Sequence, residues 1–344
     1  MATIKDVAQL AGVSASTVSR VLADSPRISA RTKQRVRQAM AQLNYHPNTL
    51  ARALVTNTAC AIGLMIPYGR NEFFENPFFA ELMSGISEVT HDEGYDIVLI
   101  TSRNDDVEAM ERVVRGRRVD GVLLLSSRED DPLVRAVERL RFPAVLLGRA
   151  AGGAHISTVN NDNVQAAYEA TCHLLRLGHR RIGCLGGASN LTVTQDRMAG
   201  YRKALVEYGI ELDAQLEVSS FFLEQGGYLG MMRLLALSDR PTAVLALDDV
   251  LAFGAMRAAA ELQYRIPQDL AIVGFNDIRL AEIANPSLTT VRVHMQELGR
   301  LAATELLRRI EHPDAPITQK TVHTELIIRK SCGAGGPRNE LAFP

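Results

Sequence analysis

The sequence is short of cysteine and aromatic residues, has no long uncharged apolar run, and carries almost no net charge. Its four cysteines, Cys60, Cys172, Cys184 and Cys332, are scattered without metal-ligand spacing. That argues against a zinc site or a disulfide frame, and buried thiols are expected. The eight histidines show no ligand spacing either; His46, His91, His179 and His294 read as surface or capping residues. No metal or cofactor is expected. No uncharged run reaches the roughly 20 residues needed to span a bilayer, and the first residues lack the apolar stretch of a secretory signal. A cytosolic chain with no membrane partner is expected. Catalytic signatures are missing as well. "CLGGASN" could cradle a phosphate but lacks the lysine of a P-loop, and there is no G-x-S-x-G elbow. Asp248 and Asp249 could serve as acids on an α/β fold, yet nothing else in the chain points to an enzyme.

Apolar residues make up 47% of the chain, ample for a buried core, and 344 residues suggest more than one domain. The net charge of −1 conceals an asymmetry. Residues 1–60 hold eight Lys/Arg against two acids, so this stretch is +6 and residues 61–344 carry −7. A basic head on an acidic body fits a polyanion-binding head; a solvated charged face explains the charge alone equally well.

Local signals favour the first reading. Thr3 can cap a helix over Ile4–Ala11, with Asp6 three residues on as a carboxylate version of the capping box. Gly12 supplies the backbone freedom to leave that helix, and Ser14 can cap a second helix to about Leu22. A third helix follows, capped by Ser29, with Val36, Met40 and Leu43 inward. Helix, tight turn and helix form a helix-turn-helix. The outer side of the second helix carries Ala15, Ser16, Thr17, Ser19 and Arg20. Small hydroxyl residues and one arginine suit a helix lying close to phosphates and base edges in the major groove; packing against another domain is the rival reading. "HPNTLARALVTNTA" then predicts a short fourth helix, capped by Asn48 or Thr49 and too short to be stable alone. Leu54 near its end is a candidate minor-groove wedge, and an ordinary linker is the alternative.

The order "DVAQLAGVSASTVSRVL", "YHPNTLARAL" and the apolar "AIGLMIP" resembles the head, hinge and first strand of the LacI/GalR family of bacterial transcription regulators. The resemblance implies that Ala15 and Ser16 hold the operator-selecting positions, that Arg20 contacts a base or phosphate, and that Leu54 enters the minor groove. The expected DNA-contacting set is Thr3, Ser14, Ala15, Ser16, Thr17, Ser19, Arg20, Ser29, Asn48, Ala51, Arg52 and Leu54.

From Ala61 onward, short apolar β-branched runs alternate with amphipathic helical patterns, the rhythm of parallel sheets covered by helices. Two α/β lobes with several crossings would bind ligand at the strand C-terminal ends. This α/β fold class, a helix-turn-helix head plus a two-lobed body like that of periplasmic sugar-binding proteins, matches the resemblance to about Lys330. The expected boundaries are a head at 1–47, a hinge at 48–60 and a body at 61–330. Within the body one lobe takes about 61–160 and 293–322 and the other about 161–292 and 323–330; a flexible tail covers 331–344. The tail has no heptad pattern, so a homodimer is expected. The resemblance places Phe78, Phe79, Asp162, Arg197 and Phe222 in the effector cleft, and Asp248 and Asn276 stand at strand ends. Phe73 and Phe74 could equally be core residues at a helix start, and Arg197 could form a surface ion pair with Asp196. Where Asn276 stands, most of the family has aspartate. Flat aromatic faces with Asp, Asn and Arg suit a neutral polyhydroxylated ligand, a sugar, and "ENPFF" with "LTVTQDRMAGY" is most similar to maltose-type regulators. The implied function is an operator-binding repressor controlled by that sugar, on pseudo-palindromic double-stranded DNA. A sugar-responsive activator, a co-repressed regulator or a sugar receptor without a DNA role are the alternatives.

Overall fold

A computed structural model describes residues 2–22, 25–45, 58–66, 70–102, 105–125, 128–150, 152 and 155–334. The chain divides into two compact units, Met1–Cys60 and Ala61–Pro344.

In the first unit, α1 (Ile4–Ala11), α2 (Ala15–Leu22) and α3 (Ala30–Gln42) surround a core of Val7, Ala8, Ala11, Val18, Val21, Val36 and Ala39. Both halves of the capping box form at α1. The Asp6 N–H donates to Thr3 Oγ1, and the Thr3 N–H donates to Asp6 Oδ2 at 2.7 Å. Gly12 ends α1 with φ of 62°, a conformation that side chains make costly. Ser14 accepts from the Thr17 N–H and Ser29 from the Thr32 N–H, so each starts its helix with a side-chain cap. Met40 and Leu43 are only partly buried, and Ala39 takes the inner place on α3.

The second unit holds two six-stranded sheets. The first runs β11-β5-β4-β3-β1-β2, with β1 (Ala61–Met65), β2 (Asp96–Ile100), β3 (Gly121–Leu124), β4 (Ala144–Leu147), β5 (Ser157–Asn161) and β11 (Gln319–Val322), all pairs parallel. The second runs β12-β10-β9-β8-β6-β7, with β6 (Ile182–Gly186), β7 (Glu217–Ser219), β8 (Ala243–Ala246), β9 (Ala271–Asn276), β10 (Thr289–Val293) and β12 (Thr324–Ile327). Among the described strands of this sheet, β12 alone is antiparallel to its neighbour. The central strands are buried along their whole length, hence their unbroken apolar runs. On the first lobe lie α4 (Arg70–Glu75), α5 (Pro77–Asp92), α6 (Asp106–Arg115), α7 (Pro132–Leu140) and α13 (Met295–Glu311), the last packed on β3, β4 and β5. The second lobe carries α8 (Asn163–Arg176), α9 (Thr192–Glu207), α10 (Glu224–Leu235), α11 (Asp249–Glu261) and the short α12 (Arg279–Ile283). The chain crosses between lobes at 161–163, 293–295 and 322–324, so the C-terminal ends of strands from both sheets converge on one cleft.

The structure corrects one boundary. Residues 331–332 do not belong to a flexible tail. Ser331 and Cys332 are buried, and Ser331 Oγ donates to the Ile272 carbonyl and accepts from the Thr289 N–H. The glycines and polar residues that follow hide this last anchor in the sequence. Helix α9 begins at Thr192. Its first turn is polar yet buried at Thr192 and Thr194, so no amphipathic period marks it.

Candidate functional site

In the first unit the exposed side of α2 presents Ser16 and Arg20, with Ser19 half-buried beside them. Several expected contacts are already engaged. Ala15 packs on the head core. The Ser14 hydroxyl bonds Ser16 and Thr17 at 2.8 and 2.9 Å, and Thr3 and Ser29 serve as caps. Asn48, Ala51, Arg52 and Leu54 lie outside the described residues.

The second unit contains an interlobe cavity of about 920 Å³, open solvent included. The first lobe gives it Phe73, Asn76, Phe78, Phe79, Leu125, Leu147, Gly148, Val159, Asn160, Asn161 and Leu298; the second gives Asn163, Leu191, Thr192, Val193, Arg197, Phe222, Asp248 and Asn276. The three N-terminal phenylalanines form one aromatic wall, with Phe79 4.9 Å from Phe73 and 5.2 Å from Phe78 between ring centroids. Phe73 is therefore both buried and cavity-lining, whereas Phe74 is exposed. Opposite them, Phe222 lies against Gly187, where any Cβ would come within 2.4 Å of the ring. Gly187 of "CLGGASN" thus makes room for an aromatic ring.

Between the walls runs a buried polar network. Arg197 is 4% exposed and does not pair with Asp196. Its Nε donates to Asn163 Oδ1 at 2.8 Å, Nη1 to the Leu247 carbonyl, and Nη2 toward Asn276 Oδ1 at 3.4 Å. The guanidinium stacks 3.6 Å above the Phe275 ring, a cation–π contact. Burial lowers its pKa to about 10, against the pull of Asp248 and Asp249, so it stays charged at neutral pH. Asp248 starts α11 by accepting from the Val250 N–H at 2.8 Å. Its Oδ2 accepts from Asn276 Nδ2 at 2.9 Å and, across the cleft, from Asn76 Nδ2 at 3.0 Å. Burial pushes the Asp248 carboxyl up, opposed by these bonds and by Arg197. Its neighbour Asp249 is buried outside the cavity, bonded to Thr290 and the Ile278 N–H.

Asp162, expected in the cleft, is exposed and caps α8, accepting from the Gln165 N–H at 2.9 Å. A short carboxylate one residue before a helix is a cap first. Asn161 and Asn163 on either side line the cavity instead, the Asn161 amide donating to Asn163 Oδ1 at 3.0 Å. Sequence reasoning missed both, together with Asn76, whose Asn-Pro context signals a helix start and hides its second bond to Asp248. Phe78, Phe79, Arg197, Phe222, Asp248 and Asn276 do line one cavity. Among the described residues that line it, Arg197 and Asp248 carry charge.

A helix-turn-helix unit followed by a clamshell with a polar–aromatic cavity between its lobes defines a ligand-responsive DNA-binding regulator. Residues 3–48 match the family model of bacterial regulatory proteins of the lacI family, and residues 171–332 match that of the periplasmic binding protein-like domain. The HTH-type transcriptional regulator MalR of Streptococcus pneumoniae is 37% identical over 334 residues, covering 95% of this chain and 98% of the relative. The chain belongs to the LacI family and is a transcriptional regulator, not an enzyme. The solved CelR–cellobiose complex is 32% identical with a TM-score of 0.75, covering 96% of this chain and all of that one. The lac repressor dimer bound to operator and an anti-inducer is 27% identical with a TM-score of 0.84, covering 96% of this chain and 98% of that chain. No described helix is long and apolar enough to cross a membrane.

Proposed function

We propose that the protein is a cytoplasmic, homodimeric repressor of a carbohydrate-utilisation operon, and that a neutral sugar in the interlobe cavity sets its grip on a pseudo-palindromic operator. The observation that carries the sugar is charge balance. Among the described lining residues the cavity holds one cation and one carboxylate, tied through Asn276, with amides and phenylalanine faces around them for a ligand. Amides donate and accept, as hydroxyls require, and apolar rings suit the CH face of a pyranose. Among the described lining residues, a phosphate or carboxylate would find no unbalanced positive charge. The relatives support the same class, since one binds cellobiose. On the DNA side, Ser16, Ser19 and Arg20 read the major groove, with Leu54 at the operator centre. Ligand-dependent lobe arrangement alters the hinge segment in both subunits. A coupling of about 1–3 kcal/mol is typical of such linkage.

The test is calorimetry with maltose, maltotriose, cellobiose, ribose and glucose 6-phosphate, followed by operator gel shifts with any binder. Binding of a neutral sugar that changes operator affinity supports the proposal. Binding of the phosphorylated sugar alone, or of none, refutes it.

A further inference from the structure

Asn276 enters the cleft from the end of β9 with φ of 113°, and Asp277 follows with φ of 58°. Both lie where side-chain-bearing residues are disfavoured, so the surroundings must hold the turn. The hold comes from behind the cavity. The Asp277 carboxylate, only 6% exposed, takes Arg292 Nε on Oδ2 at 2.7 Å and faces Arg329 Nη1 with Oδ1 at 2.7 Å. The Asp277 N–H donates to Thr290 Oγ1 at 3.3 Å. The next residue, Ile278, donates its N–H to Asp249 Oδ2 at 2.9 Å.

Arg292 does more than clamp the turn. It stands on β10, one residue before the crossing into the first lobe, and its Nη1 donates to Glu325 Oε1 at 2.8 Å. Glu325 lies on β12, just after the chain returns from that lobe. One guanidinium therefore ties the turn that aims Asn276 to both C-terminal hinge strands. By contrast, the exposed Arg202–Glu217 pair in the same lobe joins α9 to β7 and involves no cavity residue.

We propose that Asp277, held by Arg292 and Arg329, is the positioning residue for the effector contact Asn276, and that the Arg292–Glu325 link makes this contact respond to lobe movement. The inference rests on the cavity being the effector site. It requires nothing of Asp277 at the ligand itself, since Asn276 lines the cavity and Asp277 is not among its lining residues.

The experiment uses the full chain and the variants Asp277→Asn, Arg292→Gln, Arg292→Lys and the control Arg202→Gln. Each is followed by thermal melting, by calorimetry with maltose and cellobiose, and by crystal structures. Asp277→Asn and Arg292→Gln are expected to weaken binding of the sugar that wild type takes by roughly five- to tenfold, the loss of about one hydrogen bond. Arg202→Gln is expected to leave affinity unchanged, and Arg292→Lys to recover part of it. In the crystal structures Asn276 is expected to leave its position beside Arg197. Unchanged affinity, or a loss that Arg202→Gln shares, overturns the proposal. If neither sugar binds wild type, the sugar reading is in trouble, and the crystal structures decide the positioning role alone: Asn276 in place overturns it, Asn276 displaced supports it. Should Asp277→Asn fail to fold, Arg292→Gln carries the same test.

Discussion

Arg149 follows β4 in the first lobe, Asp196 lies on α9 in the second, and their ion pair spans the cleft. Nε and Nη2 of the guanidinium meet the carboxylate at 2.9 to 3.1 Å in a bidentate fork. Each partner adjoins a cavity residue, Gly148 and Arg197. The hydrogen bonds that Arg149 donates to Asp196 raise the Arg149 pKa, as expected of a pair that favours its charged form. Exposed ion pairs are worth about 0–1 kcal/mol, whereas buried hydrogen bonds to charged groups reach about 1.5–3 kcal/mol. Here Arg149 is 45% and Asp196 13% exposed, so about 1 kcal/mol is a reasonable worth. Because the partners sit on different lobes, that energy counts only when the lobes are together. If the sugar binds that arrangement, removing the pair should raise its Kd about fivefold. The assay is a double-mutant cycle with Arg149→Gln, Asp196→Asn and both together, read by calorimetry at low and high salt. The expected result is a coupling of about 1 kcal/mol that shrinks with salt. Strictly additive effects, or a Kd untouched by either change, would refute the reasoning.

Four further outcomes are expected. Arg197→Lys removes a planar donor set with three separate acceptors and a stacking face; a loss of about 2 kcal/mol in stability and at least about tenfold in sugar affinity should appear in melts and calorimetry. Gly254→Ala would drive a Cβ to 1.9 Å from the Glu224 carbonyl oxygen where α10 and α11 touch, so denaturant melts should show a loss of about 1–3 kcal/mol or more. Burial opposes ionisation of Glu305, but hydrogen bonds from Arg308 and Ser157 win and hold its pKa at about 2. A carboxyl depressed in the folded state stabilises above its ordinary pKa of 4.5 and loses that contribution as pH falls toward 2; the wild type should therefore lose more stability over that window than Glu305→Gln in acid melts. Leu54→Ala should weaken operator binding far more than binding to random duplex in gel shifts, and equal loss of both would remove the wedge role.

Much of this architecture was legible because its signals are local. Caps at Thr3, Ser14 and Ser29, the exit at Gly12, and the alternation of apolar runs with amphipathic helices each follow from a few neighbouring residues. What escaped depends on chain segments far apart in sequence. Asp162 and Asn163 are adjacent polar residues at one helix start, and only the three-dimensional crossing shows that the second, not the first, meets Arg197. Asn76 looks complete as a helix cap, and its bond to Asp248, 172 residues away, has no local trace. Ser331 and Cys332 belong to the core through partners on β9 and β10 that no sequence pattern near the C-terminus announces.

The central claim, that a small molecule in the cleft governs the grip of the head on DNA, is tested most directly by titrating the protein against a labelled operator and a scrambled duplex of equal length. The titration runs over a range of salt, with and without the sugar identified by calorimetry. Operator affinity should change with sugar at every salt concentration while affinity for the scrambled duplex stays the same, and both should fall steeply with salt. An operator affinity indifferent to a sugar that demonstrably fills the cavity would contradict the account.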